Sequence, residues 1–224
     1  MSKNIKHCIR CGTCCLKGGP VLHHEDKEIL LSGHVGHQHL VTLRKGELAF
    51  NPISGQQEPV EKELIKVLGK GESWACFFYD EEKASCKIYK HRFLECRLLQ
   101  CWDTSLVMSV IGKNTIVRSD IMNPHEPVMK VIETHEHECS CQEVETLIST
   151  ISFGKDKSNA RKKLLELVRK DLAIRSYAMS ELELKAEFEL FIFGRPLYKI
   201  INDRGLSVRF PDDVAHNHLK ENVT

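Results

Sequence analysis

Residues 8–15 read Cys8-Ile9-Arg10-Cys11-Gly12-Thr13-Cys14-Cys15, four thiols in eight positions. Two cysteines with two residues between them can curl around one ion and present both sulfurs from a single turn. Cys8, Cys11 and Cys14 make that bite twice over. Three such thiols leave a tetrahedral ion or a cubane cluster one ligand short, so the chain has to bring others from a distance. Cys76, Cys86, Cys96 and Cys101 are the available donors. The doubled Cys14-Cys15 adds a constraint, because neighbouring side chains diverge on helix and strand alike. Both sulfurs then suit two centres, or one polynuclear centre, better than a single zinc. Eight thiolates can fill two four-ligand sites, whereas one closed zinc site leaves four of them without a role. The bacterial ferredoxin run places its fourth cysteine three residues after the third and follows it with proline. Here the fourth is adjacent and Leu16 follows, which argues against a simple ferredoxin.

Thirty-two Lys and Arg nearly cancel 31 Asp and Glu, so the chain carries no basic footprint of the kind nucleic acid or an anionic membrane selects. The opening residues hold no apolar signal core, and no stretch approaches the length of a membrane span. The expectation is a cytoplasmic protein whose partners are metal ions, with no nucleic acid and no membrane. In that compartment thiols stay reduced, and a dense cysteine pattern points to metal or redox chemistry before disulfides. Several thiolates around an ion leave negative charge to be offset. Lys6, Arg10, Lys17, Lys87, Arg92 and Arg97 flank the cysteines, and Arg92 and Arg97 are the expected counter-charges. Gly12 is expected to let the loop turn without a Cβ clash, and Gly18-Gly19-Pro20 to redirect the chain afterwards.

The fold class expected is α+β: an irregular cysteine-rich half with small β-hairpins, packed on a mainly α-helical half. Residues 1–112 would form the metal-binding domain and 113–224 the helical region, packed together as one unit. Ile29, Leu30 and Leu31 predict a short helix ended by Gly33. A hairpin is expected around Asn51, Pro52, Ser54 and Gly55, and a second around Asp80–Glu82 that sets Cys76 opposite Cys86. Residues 90–102 read as a short helix, and 114–119 have strand character. Further on, Val144, Leu147, Ile148 and Ile151 make one apolar helical stripe, stopped by Gly154, and Leu164, Leu165, Val168 and Leu172 make another. Ser180 and Glu183 have capping-box spacing ahead of a helix through Phe188 and Phe191, ended by Gly194 and Pro196 before a last short one. The tail 216–224 is polar.

With these residues in place, the chain resembles the CxxCxxCC cysteine-cluster (YkgJ-like) family, described as a zinc- or iron-chelating domain. The resemblance rests on residues 8–15, on Trp74-Ala75-Cys76, and on Cys86, Ile88, Tyr89, Arg92, Cys96 and Arg97, with Phe93 where the family has proline. It covers about the first hundred residues, and the later segment 191–201 is similar to the tail of some members. What the resemblance implies is metal or iron–sulfur binding by Cys8, Cys11, Cys14, Cys15, Cys76, Cys86 and Cys96, to which Cys101 is the natural eighth. A similar cysteine domain occurs in flagellin lysine methylases. An iron–sulfur-dependent redox or methyl-transfer enzyme therefore stands as one alternative, and a zinc-stabilised interaction module as another.

His135, His137, Cys139 and Cys141 alternate, and on a strand they would share one face as a separate metal site. His23-His24 and His34, His37 and His39 read as surface histidines, with His7 and His91 as reserve ligands. Glu25 and Asp26 read as a solvated acidic pair. No nucleophile–base constellation and no phosphate loop is present, so whether the chain is an enzyme stays open.

Overall fold

The computed structural model describes residues 8, 9, 11–71 and 73–207. Lys6, His7, Arg10 and the tail 216–224 therefore lie outside the described residues. The architecture is α+β, with small antiparallel strand pairs in the N-terminal half and the long helices in the C-terminal half. A short helix α1 (Thr13–Leu16) is followed by a 3-10 turn at His24–Asp26 and by α2 (Lys27–Leu31), which closes through Gly33 at φ 74°. Next come β1 (Leu40–Leu43), β2 (Leu48–Asn51), β3 (Gln56–Pro59) and β4 (Leu64–Val67), then four two-residue strands, β5 (Gly69–Lys70), β6 (Ala75–Cys76), β7 (Tyr79–Asp80) and β8 (Ser85–Cys86). Two short helices, α3 (Leu94–Leu98) and α4 (Ser105–Met108), lead to α5 (Pro127–Glu138), α6 (Cys141–Phe153), α7 (Lys157–Glu181), α8 (Glu189–Phe193) and α9 (Leu197–Asp203).

β1 pairs with β4 from Leu40↔Val67 to Leu43↔Leu64, and β2 with β3 in the expected hairpin. β5–β6 and β7–β8 complete four separate two-stranded pairs among the described residues. An isolated two-stranded ribbon is marginal in water, so packing must hold these pairs in place. Leu22, Leu40, Ile65, Val67, Phe78, Phe93 and Ile116 supply one core together with Phe191 and Phe193 of α8, so the two halves share it. A second core lies among α6, α7 and α9, built on the predicted stripes and on Leu197, Ile200 and Ile201. Helix starts are capped locally: Ser140 accepts from the Glu143 amide and Asp156 from the Asn159 amide.

Two expectations for local structure are corrected. Ser180 caps nothing: it lies inside α7, which runs on to Glu181, because the Leu182 and Leu184 amides both close back on the Ala178 carbonyl and Glu183 turns the chain at φ 51°. Residues 114–119 contribute only a single bridge, His23↔Thr115. The chain then enters a 3-10 turn at Arg118–Asp120, and the Arg118 side chain is drawn inward to Glu63 and to the Ile192 carbonyl.

Arg118 belongs to a set of buried guanidiniums that joins the halves. Arg44, at the end of β1, donates to Glu136 at 3.0 Å and to the Cys139 carbonyl at the C-terminus of α5 at 2.6 Å. Arg118 reaches Glu136 as well, at 2.6 Å. Arg175 in α7 donates to Asp171, to Glu189, and to the Phe193 and Gly194 carbonyls that end α8. Asp171 in turn accepts from His135 at 2.6 Å and from the Leu197 amide at the start of α9. Orphan groups at three helix ends are satisfied in this way by side chains from elsewhere in the fold.

Arg175→Met should lower stability by roughly 3–5 kcal/mol in denaturant titrations, because it leaves the buried Asp171 carboxylate short of its main partner. Burial, helped by the Arg44 and Arg175 charges, outweighs the Asp171 hydrogen bond and lowers the pKa of His135 from 6.5 to about 4. Burial would raise Asp171, but Arg175, His135 and the Leu197 amide overcome it and bring its pKa to about 2. Both folded values lie below the unfolded ones, so both contributions are in place at neutral pH. The His135 share is lost as pH falls from 6.5 towards 4, and the Asp171 share below 3.8. The denaturant midpoint should fall over the first window, and His135→Gln should flatten that fall.

Candidate metal centre

The cysteine loop is shaped by Gly12, the residue before α1, at φ 76°. A Cβ there would lie 2.0 Å from the Tyr79 hydroxyl, so the backbone passes closer to the ring than any side chain permits. α1 then carries Cys14 and Cys15 against β6, where Cys76 is buried. Cys76 pairs with Gly69, and Cys86 pairs with Tyr79. The expected Cys76–Cys86 register is thus corrected: the chain turns at Phe77-Phe78 between β6 and β7, because Phe78 is drawn into the core beside Phe93 and His39. The two cysteines still lie in each other's electrostatic field.

Cys96 sits on α3, whose position is set by buried groups that the sequence did not reveal. Phe93 stands before the helix at φ −62°, a value proline would share, and its ring is buried in the core. The Leu94 amide donates to Asp26 Oδ1 at 2.7 Å, and the His23 amide to Asp26 Oδ2 at 3.0 Å. Glu95 accepts from the Val21 amide and pairs with His23 Nε2 at 3.2 Å, while His23 Nδ1 faces the Lys113 carbonyl at 2.8 Å. Asp26 and His23 are therefore buried braces rather than solvated surface groups. Both His23 nitrogens face acceptors, so although burial opposes the charge, Glu95 and the Lys113 carbonyl raise its pKa.

Exposure and mutual influence divide the eight thiols. Cys76 is buried and Cys15, Cys86 and Cys96 are half-buried, whereas Cys8, Cys11, Cys14 and Cys101 are exposed. Cys14 is exposed and Cys15 half-buried, and Cys14 acts electrostatically on the Cys15 thiol beside it. Burial, and then Cys14, Cys76 and Cys86, push the Cys15 thiol up to about 12. Burial also raises Cys96, with Cys76, Cys14 and Cys15 adding to it. Cys101 is raised by burial and then by Cys14, Cys11 and Cys8. Cys11 is lowered by its bond to the Thr13 hydroxyl, 3.2 Å away, and by the Thr13 backbone. Thiols that hold one another protonated in this way favour a cation in their midst. Among the described residues, no three His, Cys, Asp or Glu side chains already stand as ligands of one ion.

Of the two expected counter-charges, Arg92 faces Cys86, and it also stacks on Tyr89. Arg97 instead donates to the Arg92 carbonyl and lies 3.9 Å from Asp26. Lys66 and Lys70, which the sequence analysis passed over, both act on Cys76. Lys66 was detectable as the one charge within the apolar strand β4. It lies ten residues before Cys76, outside the segments that immediately flank the cysteines.

Residues 133–141 are not a strand. His135 and His137 lie on α5, with His137 exposed and His135 buried against Asp171, while Cys139 and Cys141 are buried in the second core. The His135 Nδ1 lacks a hydrogen-bond partner among the described residues, but the Arg44 and Arg175 charges close by disfavour a metal cation there. His34 and His91 stack on each other with ring centroids 3.6 Å apart, and His37 stacks on Phe191. Two open grooves, one lined by Lys45, Gln142 and Glu145 and the other by Val131, Ala173 and Tyr177, include no cysteine. No described helix is long and apolar enough to cross a membrane.

Comparison with known proteins adds one finding. The family model CxxCxxCC, "Putative zinc- or iron-chelating domain", matches residues 7–140, more than half of the chain. The chain belongs to the CxxCxxCC family. Its match takes in all eight clustered cysteines and runs on through α5, beyond the hundred residues that carried the resemblance. Membership supports metal binding in general. No curated protein and no solved structure matches.

Gly12→Ala should loosen the CxxCxxCC loop, since a left-handed alanine costs about 1–2 kcal/mol and its Cβ must displace Tyr79. Faster tryptic cleavage at Lys17, with helices α5 to α9 still protected, is the expected outcome.

Proposed function

We propose that this CxxCxxCC protein chelates a thiophilic metal, as zinc or as an iron–sulfur centre, through Cys8, Cys11, Cys14, Cys15, Cys76, Cys86, Cys96 and Cys101. The observation that carries this reading is that Cys15, Cys76, Cys86 and Cys96, drawn from the four elements α1, β6, β8 and α3, lie buried or half-buried within one another's influence. The donor set fits such a group: soft sulfur ligands, with Lys66, Lys70 and Arg92 at hand to offset thiolate charge. When bound, zinc would supply a redox-silent clamp, and an iron–sulfur cluster an electron-transfer centre.

The chain's own residues do the rest. Asp26, His23 and Glu95 hold α3 and its Cys96, while the Gly12–Tyr79 contact holds the loop above β6. Because no three donors are already converged, binding has to draw residues 8–17 onto β6, β8 and α3, so that folding of this corner and metal binding are coupled. Residues 1–112 would then be the metal-responsive unit and 113–224 its scaffold. The alternatives of an iron–sulfur redox or methyl-transfer enzyme and of a zinc-stabilised interaction module share this site and differ in what it serves.

Anaerobic purification followed by metal analysis and an optical spectrum tests the reading. Stoichiometric zinc without colour, or iron with a visible band that bleaches on reduction, is expected. Cys76→Ser and Cys96→Ser should each lower the bound metal, and protein free of both metals would sink the proposal. Since the thiols of Cys15, Cys76, Cys86 and Cys96 are raised, loading should release protons and affinity should weaken as pH falls. Proton release during titration with zinc measures this directly.

A further inference from the structure

Exposure alone splits the eight clustered thiols four and four: Cys8, Cys11, Cys14 and Cys101 are exposed, whereas Cys76 is buried and Cys15, Cys86 and Cys96 are half-buried. Neighbourhood divides the other seven in the same way, with Cys14 acting on both groups. The sulfurs acting on Cys101 are those of Cys14, Cys11 and Cys8, all exposed. Those acting on Cys96 are Cys76, Cys14 and Cys15, and those acting on Cys15 are Cys14, Cys76 and Cys86. Cys14 is the sulfur common to both neighbourhoods, and it sits beside Cys15 on α1.

Resting on the metal-chelating reading, we propose that these thiols form two unlike sites joined at Cys14: an inner, retained site of Cys15, Cys76, Cys86 and Cys96, and an outer, exchangeable site of Cys8, Cys11 and Cys101 that takes and releases a soft divalent ion such as zinc. Cys14 completes the outer set, and as a thiolate it has lone pairs enough to serve both.

The physical reason for unequal retention is access. Cys76 is buried in the core that holds Phe78 and Phe93, and Cys15 and Cys86 pack against it, so a competing ligand has less access to them than to an exposed sulfur. Cys8, Cys11 and Cys101 have solvent beside each sulfur, and a competing thiol can replace them one at a time without disturbing any packed residue. Their attachment differs as well. Cys76 and Cys86 sit on paired strands, and Cys96 on a helix whose entry is pinned by Asp26 and Phe93. Cys8 and Cys11 precede the Gly12 pivot, and Cys101 follows the end of α3, where the chain runs into a turn. The outer three therefore lie outside the strands and helices that carry the inner four. The Thr13 hydroxyl, 3.2 Å from the Cys11 sulfur, gives the outer set a polar partner of its own. A site that is open, assembled from loop residues and coupled through one shared sulfur to a sheltered site is built to pass metal on rather than to lock it away.

The test uses the full-length metal-free protein, reduced and anaerobic, reloaded with zinc and challenged with a chromogenic chelator. About two zinc ions per chain are expected, released in two resolved phases. The double variant Cys8→Ser/Cys101→Ser should lose the fast phase and one ion while keeping the slow ion and its protection from proteolysis. Both substitutions are at exposed positions, so the fold is not at risk. Cys96→Ser should remove the slow phase. One phase for all bound zinc, one ion in the unaltered protein, or loss of the slow ion from the double variant would each overturn the partition while leaving chelation intact. Protein that takes up no zinc overturns the partition, and protein that holds neither zinc nor iron overturns the chelating reading with it.

Discussion

Strands of two to four residues cannot hold a fold by their ladders, and in this molecule buried arginines supply what the sheets lack. Arg44, Arg118 and Arg175 each reach from one element to the open carbonyl end of a helix belonging to another, at α5 and α8, and each is matched by a carboxylate. A buried guanidinium without such partners would be costly, so the arrangement is strict: shifting any one of these elements leaves several charges unpaired at once. Its consequence is a rigid frame in which α8 completes the core of the strand-bearing half.

The cysteine corner is attached to that frame at its edge. Asp26, His23 and Glu95 fasten α3 to the segment leading out of the cysteine loop, and Phe78 and Phe93 seal the floor beneath it. The loop itself rests on Tyr79 and on β6, with little apolar material of its own: α1 has no buried residue. Thiols stand where a larger domain would place hydrophobic side chains. Such a corner would gain cohesion from a bound ion more readily than from packing, which is the basis of the proposed coupling between binding and local order.

Much of the fold was legible in the sequence. The hairpin at 48–59, the stripes of α6 and α7, and the stops at Gly33, Gly154 and Gly194 follow from periodicity and turn chemistry that act within a few residues. What misled was local signal overruled from afar. The Ser180–Glu183 spacing fits a cap, yet α7 continues past it because its end is closed by Ala178. His23 and Asp26 look like ordinary surface polar groups, but their partners lie some 70 to 90 positions away and draw them inside. The alternation at 133–141 mimics a strand, while the chain there belongs to two helices and their junction.

The sequence by itself determined the chemistry: ten cysteines, eight of them before residue 102 in Cys-x-x-Cys and related spacings, define a thiol-rich site whatever the details of the fold. Ligand type and short spacings are local properties, and local properties survive in one dimension. Only the tertiary structure decided which thiols are sheltered and which face solvent, that Cys86 opposes Tyr79 and not Cys76, and that Lys66 and Lys70, more than Arg97, stand by the sulfurs. Burial and charge proximity depend on how the chain turns and packs, so even residues six to ten positions apart, such as Lys70 or Lys66 and Cys76, are brought together only by the fold.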